Sequence, residues 1–286
     1  MKHLISEKSK LSADELAAVK QLVNVCNEHD GIDLKVNPDM LANRSGTHTE
    51  DFLCYVGEQL VGFLGMYVFH GGEAEVSGMV HPDYRRRGIF RALQARAAKH
   101  CRTRNIPHQL FIVQRASKSG KACMEQLGAS YQFSEYWMDL DSGKTAKPAA
   151  DIELRAAGPE DVETVIRLNV HGFQMDEARA REMSIRVEQE ADARTFLIFT
   201  DGKPIGKISA KVTDGEGFIY GFCVHPDHQG KGYGRRALAR TIELIRAQGA
   251  ERMSLEVASE NSGALGLYES CGFVVRSAND YYKLPL

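Results

Sequence analysis

Val224-His225-Pro226-Asp227-His228-Gln229-Gly230-Lys231-Gly232-Tyr233-Gly234-Arg235-Arg236-Ala237-Leu238 is the stretch on which the fold turns. An apolar run, Phe218 to Val224, leads into it and reads as a buried strand. His225-Pro226-Asp227 stops that strand, because proline cannot continue a ladder and restricts the residue before it. Three glycines then fall between Gln229 and Gly234. A helical pattern follows at once. Ala237, Leu238, Thr241, Ile242 and Ile245 share one face, with Arg235, Arg236, Arg240, Glu243 and Arg246 off it. Gly249 stands where such a helix should stop.

Strand, glycine turn and helix start together suit an anion. Glycines let the backbone come close and adopt positive φ. The first N–H groups of a helix have no partner and lie at the positive end of its dipole. Arg235 and Arg236 add charge at the rim. The plainer reading is a turn between a strand and a helix. It is not a P-loop, since no Gly-Lys-Ser/Thr closes it. A loose dinucleotide fingerprint ending in Ala237 would fit, with Glu256 roughly 20 residues further on. That motif wants its first glycine directly after the strand, however, and here His225 to Gln229 intervene.

Outside this stretch, composition sets the bounds. The chain has 286 residues, 43% hydrophobic and 26% charged, so it can bury a sizeable core as one large domain or two ordinary ones. A formal net charge of −2 argues against a dedicated nucleic-acid binder. No run approaches the roughly 20 apolar residues of a membrane span, and Met1 to Leu16 is too polar for a signal peptide. No nucleic-acid or membrane partner is expected, and the expected location is cytoplasmic. Six cysteines, Cys26, Cys54, Cys101, Cys123, Cys223 and Cys271, sit in apolar or helical patterns without a Cys-x-x-Cys pair. They read as reduced, mostly buried thiols. The ten histidines lack ligand spacing, so no metal is expected.

The decisive stretch occurs twice. Val80-His81-Pro82-Asp83 repeats as Val224-His225-Pro226-Asp227, at an offset of 144 residues. The same offset pairs Phe52-Leu53 with Phe196-Leu197, Gly62 with Gly206, Gly88 with Gly232, Arg91 with Arg235, Gly128 with Gly272 and Leu140 with Leu284. A register held without a gap over that length predicts two copies of one domain, residues 1–140 and 152–286, joined by a linker at 141–151. Each copy reads as a helix (Asp14 to Cys26, Pro159 to Leu168), a hairpin, the central strand, the glycine turn and a long helix. A further strand (Gln109–Val113, Met253–Val257), a helix (Gly120–Leu127, Gly263–Cys271) and a closing strand pair complete it. The hairpins are Phe52–Val56 with Leu60–Phe69, and Thr195–Thr200 with Ile205–Val212. A strand opens the second copy at Ile152–Arg155, with a weaker counterpart near Lys2–Ile5.

At this point the chain resembles the GNAT superfamily of N-acetyltransferases, over both copies and more strongly in the second. Gln229-x-x-Gly232-x-Gly234 matches the family's Q/R-x-x-G-x-G/A element, which cradles the pyrophosphate of acetyl-coenzyme A. Leu255-Glu256-Val257-x-x-x-Asn261, followed by Leu267-Tyr268-x-x-x-Gly272-Phe273, matches a second family element and displaces the dinucleotide reading. The resemblance implies an α/β (α+β) fold of two tandem domains, each a twisted mixed sheet flanked by helices, with two middle strands splayed apart. Pantetheine would enter that gap against the backbone of Phe222, Cys223 and Val224. The loop Gln229, Gly230, Lys231, Gly232, Tyr233, Gly234 and Arg235 would hold the phosphates. Asn261 would hydrogen-bond pantetheine, and Tyr268 would stand near the sulfur as general acid. Acetyl-coenzyme A is then a cosubstrate, and the acceptor is a primary amine of a small molecule or peptide.

The implied chemistry needs these residue types. A lysine-like ammonium, pKa about 10.4, must lose a proton before it attacks a thioester, and a carboxylate can take it. Backbone N–H groups can steady the developing oxyanion. The departing thiolate, of cysteine-like pKa about 8.5, can draw a proton from a tyrosine of pKa about 10 if the site brings the two together. Glu256 and Glu216 are the carboxylates that strand position favours as base, although each also reads as structural or solvated. Tyr268 can equally be core packing with a wet hydroxyl. Asn261 can be a helix cap, and both roles can coexist. His225 most simply ends a strand.

The first copy departs from the pattern. Arg85-Arg86-Arg87-Gly88-Ile89-Phe90 keeps the arginine and the first glycine, but Phe90 replaces the last one. Met124 stands at the tyrosine position and Ser117 at the asparagine position. Glu75 lies on its central strand, where some family members carry a base. This copy reads as catalytically weakened and the second as active. The rival readings are a non-catalytic acyl-coenzyme A binding protein, or activity in the first copy. Acceptor pockets in this family form around the early helices and loops, here Asn27–Glu50 and His171–Arg194. The second holds Asp176, Glu177, Glu182, Glu188, Glu190 and Asp192 against Arg179, Arg181, Arg186 and Arg194. Those acids suit a cationic amine or, more simply, a mixed, solvated helix.

Overall fold

The structure is a computed structural model and describes residues 4–70, 72–141, 152–188, 193–258 and 261–286. Of the expected linker at 141–151, residues 142–151 lie outside the described residues. The first copy runs β1 (Leu4–Lys8), α1 (Ala13–Asp30), α2 (Pro38–Ala42), β2 (Asp51–Val56), β3 (Gln59–His70), β4 (Glu73–Val80), α3 (Ile89–Thr103), β5 (His108–Gln114), α4 (Lys118–Leu127) and β6 (Ser130–Leu140). The second runs β7 (Glu153–Ala156), α5 (Val162–Phe173), α6 (Glu177–Glu188), β8 (Ala193–Thr200), β9 (Lys203–Thr213), β10 (Glu216–Val224), α7 (Tyr233–Ala247), β11 (Arg252–Ala258), α8 (Ser262–Ser270) and β12 (Phe273–Pro285).

Local signals act as their chemistry dictates. Ser12 caps α1 with a reciprocal box: its Oγ accepts from the Glu15 N–H at 3.2 Å, and its own N–H donates to Glu15 Oε2 at 2.8 Å. Gly31 ends the helix in the left-handed region. Ser12→Ala removes half of this box, and about 1 kcal/mol of stability should go with it. Denaturant unfolding measures that loss, and an unchanged midpoint would mean that packing alone sets the helix start. In α7 the five residues expected on the inner face are all buried, and each of Leu238, Ile242 and Ile245 contributes about 1.5–3 kcal/mol of burial.

The chain divides into two compact units, but not by a linear cut near residue 140. Unit 1 comprises Met1–Glu135 and Ala278–Leu286, and unit 2 comprises Tyr136–Ser277. The closing strand pair expected in each copy is replaced by one long strand, β6 or β12, whose two halves belong to different units. The physical reason is visible in β6: Ser130–Leu140 contains no glycine, proline or asparagine at which a hairpin could turn. Within unit 1 the strand order is β1-β2-β3-β4-β5-β12-β6. There β12 pairs antiparallel with β5 from Asn279↔Gln114 to Pro285↔His108. Tyr281 stacks on Phe133 at 4.5 Å, and Asp280 accepts from Arg115 and Ser134. Within unit 2 the order is β7-β8-β9-β10-β11-β6-β12. There Trp137 stacks on Phe218 at 5.5 Å and the Asp141 N–H donates to the Gly272 carbonyl at 2.9 Å.

Each unit carries the same fork in its sheet. In unit 2, β10 and β11 run parallel but pair only from Glu216↔Arg252 to Ile219↔Leu255. β10 stays with β9 as far as Val224, through a bulge between Tyr220 and Cys223. In unit 1, β4 and β5 pair only from Ala74↔Gln109 to Val76↔Phe111, while β4 follows β3 to Val80. The splayed middle strands implied by the sequence resemblance are therefore present twice.

Candidate active site

The bulge in β10 decides which side chains face which way. Gly221 sits in it at φ +56. Before the bulge Gly217 and Ile219 are buried on the α7 side, whereas Phe218 and Tyr220 stack on the other. An extra residue reverses that alternation. Beyond it Phe222 turns to the α7 and α8 side, with its ring 6.4 Å from that of Tyr268. Cys223 turns towards α5, where its thiol donates to the Leu168 carbonyl at 3.4 Å. The approach is close enough that a Cβ at Gly172 would lie 2.6 Å from Cys223 Cβ.

The glycine loop turns directly into the start of α7. The short 3-10 turn Pro226–His228 follows His225, whose Nδ1 accepts from the Asp227 N–H at 3.4 Å. Gln229 Nε2 then donates to the Val224 carbonyl at 2.9 Å, and Lys231 Nζ to the Asp227 carbonyl at 2.9 Å. Gly230 and Gly232 take φ +73 and +79. Gly232 is the residue before α7, so the first N–H groups of that helix open onto the loop. A Cβ at Gly230 would meet nothing within 4 Å, so the loop is open to approach on that side. Arg235 is exposed beside it, whereas Arg236 lies over the Tyr233 ring at 4.6 Å and donates to the Lys231 carbonyl at 2.7 Å.

Unit 1 keeps the same loop. Gly88 takes φ 78, ψ 3 against φ 79, ψ 2 for Gly232. Arg85 Nε donates to the Val80 carbonyl at 3.0 Å, as Gln229 does to Val224. The Arg85 guanidinium also forks onto Asp30 at 2.9 and 2.8 Å, which holds the Asp30 carboxyl below its usual value. A cavity of about 700 Å³ opens at this fork, among Met79, Val80, Phe90, Phe111, Val113 and Met124. Phe90 therefore lines open space in unit 1.

The candidate catalytic residues scatter along unit 2. Tyr268 is 8% exposed and packs between Phe222 and Phe273. Burial pushes its hydroxyl up to about 12, with the Cys223 and Cys271 thiols adding to the effect. The phenol thus keeps its proton across the neutral range, but its pKa lies further from that of a thiol than the sequence chemistry wanted. Asn261 caps α8, its Oδ1 accepting from the Ala264 N–H at 3.0 Å, as Ser117 caps α4 from Gly120 at 3.1 Å. Glu256 lies on β11 one residue past the last pair with β10, half-buried. Glu216 is at the closed end of β10, exposed and paired with Arg252, away from the fork. Glu75 is half-buried on β4 of unit 1, within the paired stretch. In α6, Arg181 bridges Glu163 and Glu177, as a solvated helix would, and Glu190 and Asp192 lie outside the described residues. All six cysteines are free thiols.

One buried charged residue of unit 2 was not among the sequence candidates. Lys207 of β9 is 3% exposed and lies opposite Cys223 in the strand register. The repeat carries the signal: the residue 144 positions earlier is Phe63, fully buried. A lysine in place of a buried phenylalanine stands out only once the two copies are aligned.

The chain matches the acetyltransferase (GNAT) family over residues 17–129 and 163–273. It is 27% identical to a mycothiol acetyltransferase of Saccharomonospora viridis, over 92% of this chain and 93% of that one. A mycothiol acetyltransferase of Propionibacterium freudenreichii subsp. shermanii is also 27% identical, over 96% and 90%. Among solved structures, a GCN5-related N-acetyltransferase from Sphaerobacter thermophilus superposes with a TM-score of 0.82 at 18% identity, covering 98% of this chain and 95% of that one. A tandem GNAT protein from the clavulanic acid biosynthesis pathway gives 0.77 at 19% identity, covering 99% and 98%.

Proposed function

The chain belongs to the acetyltransferase (GNAT) family, and from that premise we propose that its C-terminal unit transfers acetyl from acetyl-coenzyme A to a primary amine. The observation that carries this reading is the conjunction, in unit 2, of an open glycine cradle at a helix start, a forked sheet and Tyr268 packed against the fork through Phe222. Family members use acetyl-coenzyme A as cosubstrate. The residues present fit it: the Gly230 to Gly234 backbone would hold the pyrophosphate, the edge of β10 past Ile219 would take pantetheine, and Asn261, which caps α8, would hydrogen-bond pantetheine. When bound, the cosubstrate supplies an activated acyl carbon. Tyr268 would supply the proton that the departing sulfur takes, and N–H groups of β10 past Ile219 would receive the carbonyl oxygen. The acceptor belongs to the small-molecule or peptide amines. Amines related to mycothiol head the panel, because the relatives carry that name. Among the described residues no helix is long and apolar enough to cross a membrane.

The cavity in unit 1 favours a second reading, in which the coenzyme enters the N-terminal unit as well or instead. Calorimetric titration of the intact chain with acetyl-coenzyme A separates the two, repeated on a Gly232→Glu, Gly234→Glu variant. Gly232 at φ +79 strains any side chain, and two carboxylates at the start of α7 repel pyrophosphate. One site per chain, weakened at least about 100-fold in the variant, supports the C-terminal reading. Unchanged binding moves the coenzyme to unit 1. Absence of binding in the intact chain ends the acetyltransferase reading of this site.

A further inference from the structure

The amine proton needs an acceptor, and unit 2 contains a basic group unlike any the sequence put forward. Lys207 Nζ donates to the Gly221 carbonyl at 3.0 Å, at the bulge itself, and lies 5.5 Å from the centre of the Phe173 ring. Among the described residues no carboxylate pairs with it. An ammonium so enclosed lacks the counter-charge that makes burial tolerable, and such a group sheds its proton instead. Burial accordingly pushes Lys207 below the usual lysine value. The titratable group beside it is the Cys223 thiol on β10, itself pushed up by burial. From α5 the uncharged Phe173 ring lies beside it, and Ser209 of β9, also uncharged, borders Gly221 as Lys207 does. The fold does not demand a lysine here, since unit 1 places Phe63 at this point of the repeat, opposite Met79.

We propose that Lys207, as a free amine, takes the proton of the attacking acceptor amine, on the α5 face of β10 opposite Tyr268. This rests on the reading of unit 2 as the transferring unit. Consecutive residues on either side of the strand set the geometry. Phe222 carries Tyr268 on one face, and Cys223 meets Lys207 across the register on the other. Two N–H groups of the free amine can donate, one of them to Gly221, and the lone pair remains to accept. Phe173, the ring beside Nζ, is 38% exposed, which makes the α5 side the approach that the proposal requires of the acceptor.

The step balances without another reagent. The acceptor nitrogen bonds to the acyl carbon and one of its protons passes to Lys207. The carbon–sulfur bond breaks with its electron pair on sulfur, and Tyr268 gives sulfur a proton. Solvent then returns a proton from Lys207 to Tyr268, leaving amide and thiol.

The test uses the full chain labelled with lysine ε-13C and the variants Lys207→Gln and Glu256→Gln. A glutamine amide N–H can still donate to the Gly221 carbonyl but offers no base. One lysine resonance, absent from Lys207→Gln, should titrate below all others and shift when acetyl-coenzyme A is added. With the acceptor selected from the amine panel, kcat/KM of the native chain should fall as pH drops through that value. In Lys207→Gln this acid limb should vanish, with the rate down on the order of 100-fold or more and acetyl-coenzyme A affinity retained. A Lys207 resonance that stays ammonium-like up to pH 10 overturns the proposal, even if the variant fails to fold. So does full activity in Lys207→Gln, or an acid limb that follows Glu256→Gln instead. If the native chain does not bind acetyl-coenzyme A, the reading of unit 2 fails and the proposal falls with it, whatever the resonance does.

Discussion

Tyr268→Phe should bind acetyl-coenzyme A within about threefold of the native affinity and turn over 10²–10⁴ times more slowly, roughly the range for loss of a general acid. The separation of the two effects follows from the packing. The ring touches Phe222 and Phe273, and phenylalanine preserves both contacts. Only the hydroxyl is lost, and with it the proton for the departing sulfur. Because burial pushes that hydroxyl up to about 12, the native enzyme should keep its acid protonated to about pH 11. No alkaline loss of activity below that pH should trace to Tyr268. The sign is that of an acid that works only while protonated, so a raised value extends the working range upward. Steady-state kinetics on the variant decide the matter. Unchanged kcat would reduce Tyr268 to a core residue and return the acid role to solvent.

Arg44→Met should cost about 3–5 kcal/mol, the typical effect of stripping one partner from a buried ion pair. Asp51 opens β2 and is completely buried. Arg44 Nε and Nη2 clasp its two oxygens at 3.1 and 2.7 Å, while Nη1 donates to Glu50 at 2.8 Å. The guanidinium lies 4.8 Å from the centre of the Tyr67 ring. Methionine keeps much of the stem's volume but leaves the Asp51 carboxylate dry and unpaired. Burial already raises the Asp51 carboxyl, with Arg44 pulling the other way, so removing Arg44 raises it further. A carboxyl whose folded value exceeds its unfolded one binds its proton more tightly when folded. Stability of the variant should therefore recover as pH falls from 8 towards 5. Chemical denaturation at those two pH values checks both claims, and adding Asp51→Asn should restore part of the loss. A deficit under 1 kcal/mol at pH 8 would mean that water reaches the carboxylate once the arginine is gone.

The sequence alone determined what is local. Proline after His225, glycines at 230 and 232, the inner face of α7 and the caps at Ser12 and Asn261 each act within a few residues. Their conformations follow from sterics and from helix ends that need partners. The offset of 144 residues made the two-fold repeat legible for the same reason, since like local sequences build like elements. Tertiary structure alone decided what depends on strand pairing. Nothing near Leu140 or Phe273 states that β12 continues past Ser277 to lie beside β5. That choice is made by the hydrogen bonds and apolar contacts of distant strands. The fork is likewise a matter of where β10 leaves β11, and it separated two carboxylates that looked equivalent in sequence, Glu256 beside the gap and Glu216 at its closed end. The bulge at Gly221 then reversed the alternation of β10, which brought Cys223 over α5 and enclosed Lys207. Strand periodicity predicts which residues alternate, but only the partner strands decide where an extra residue enters and which face each side chain gains.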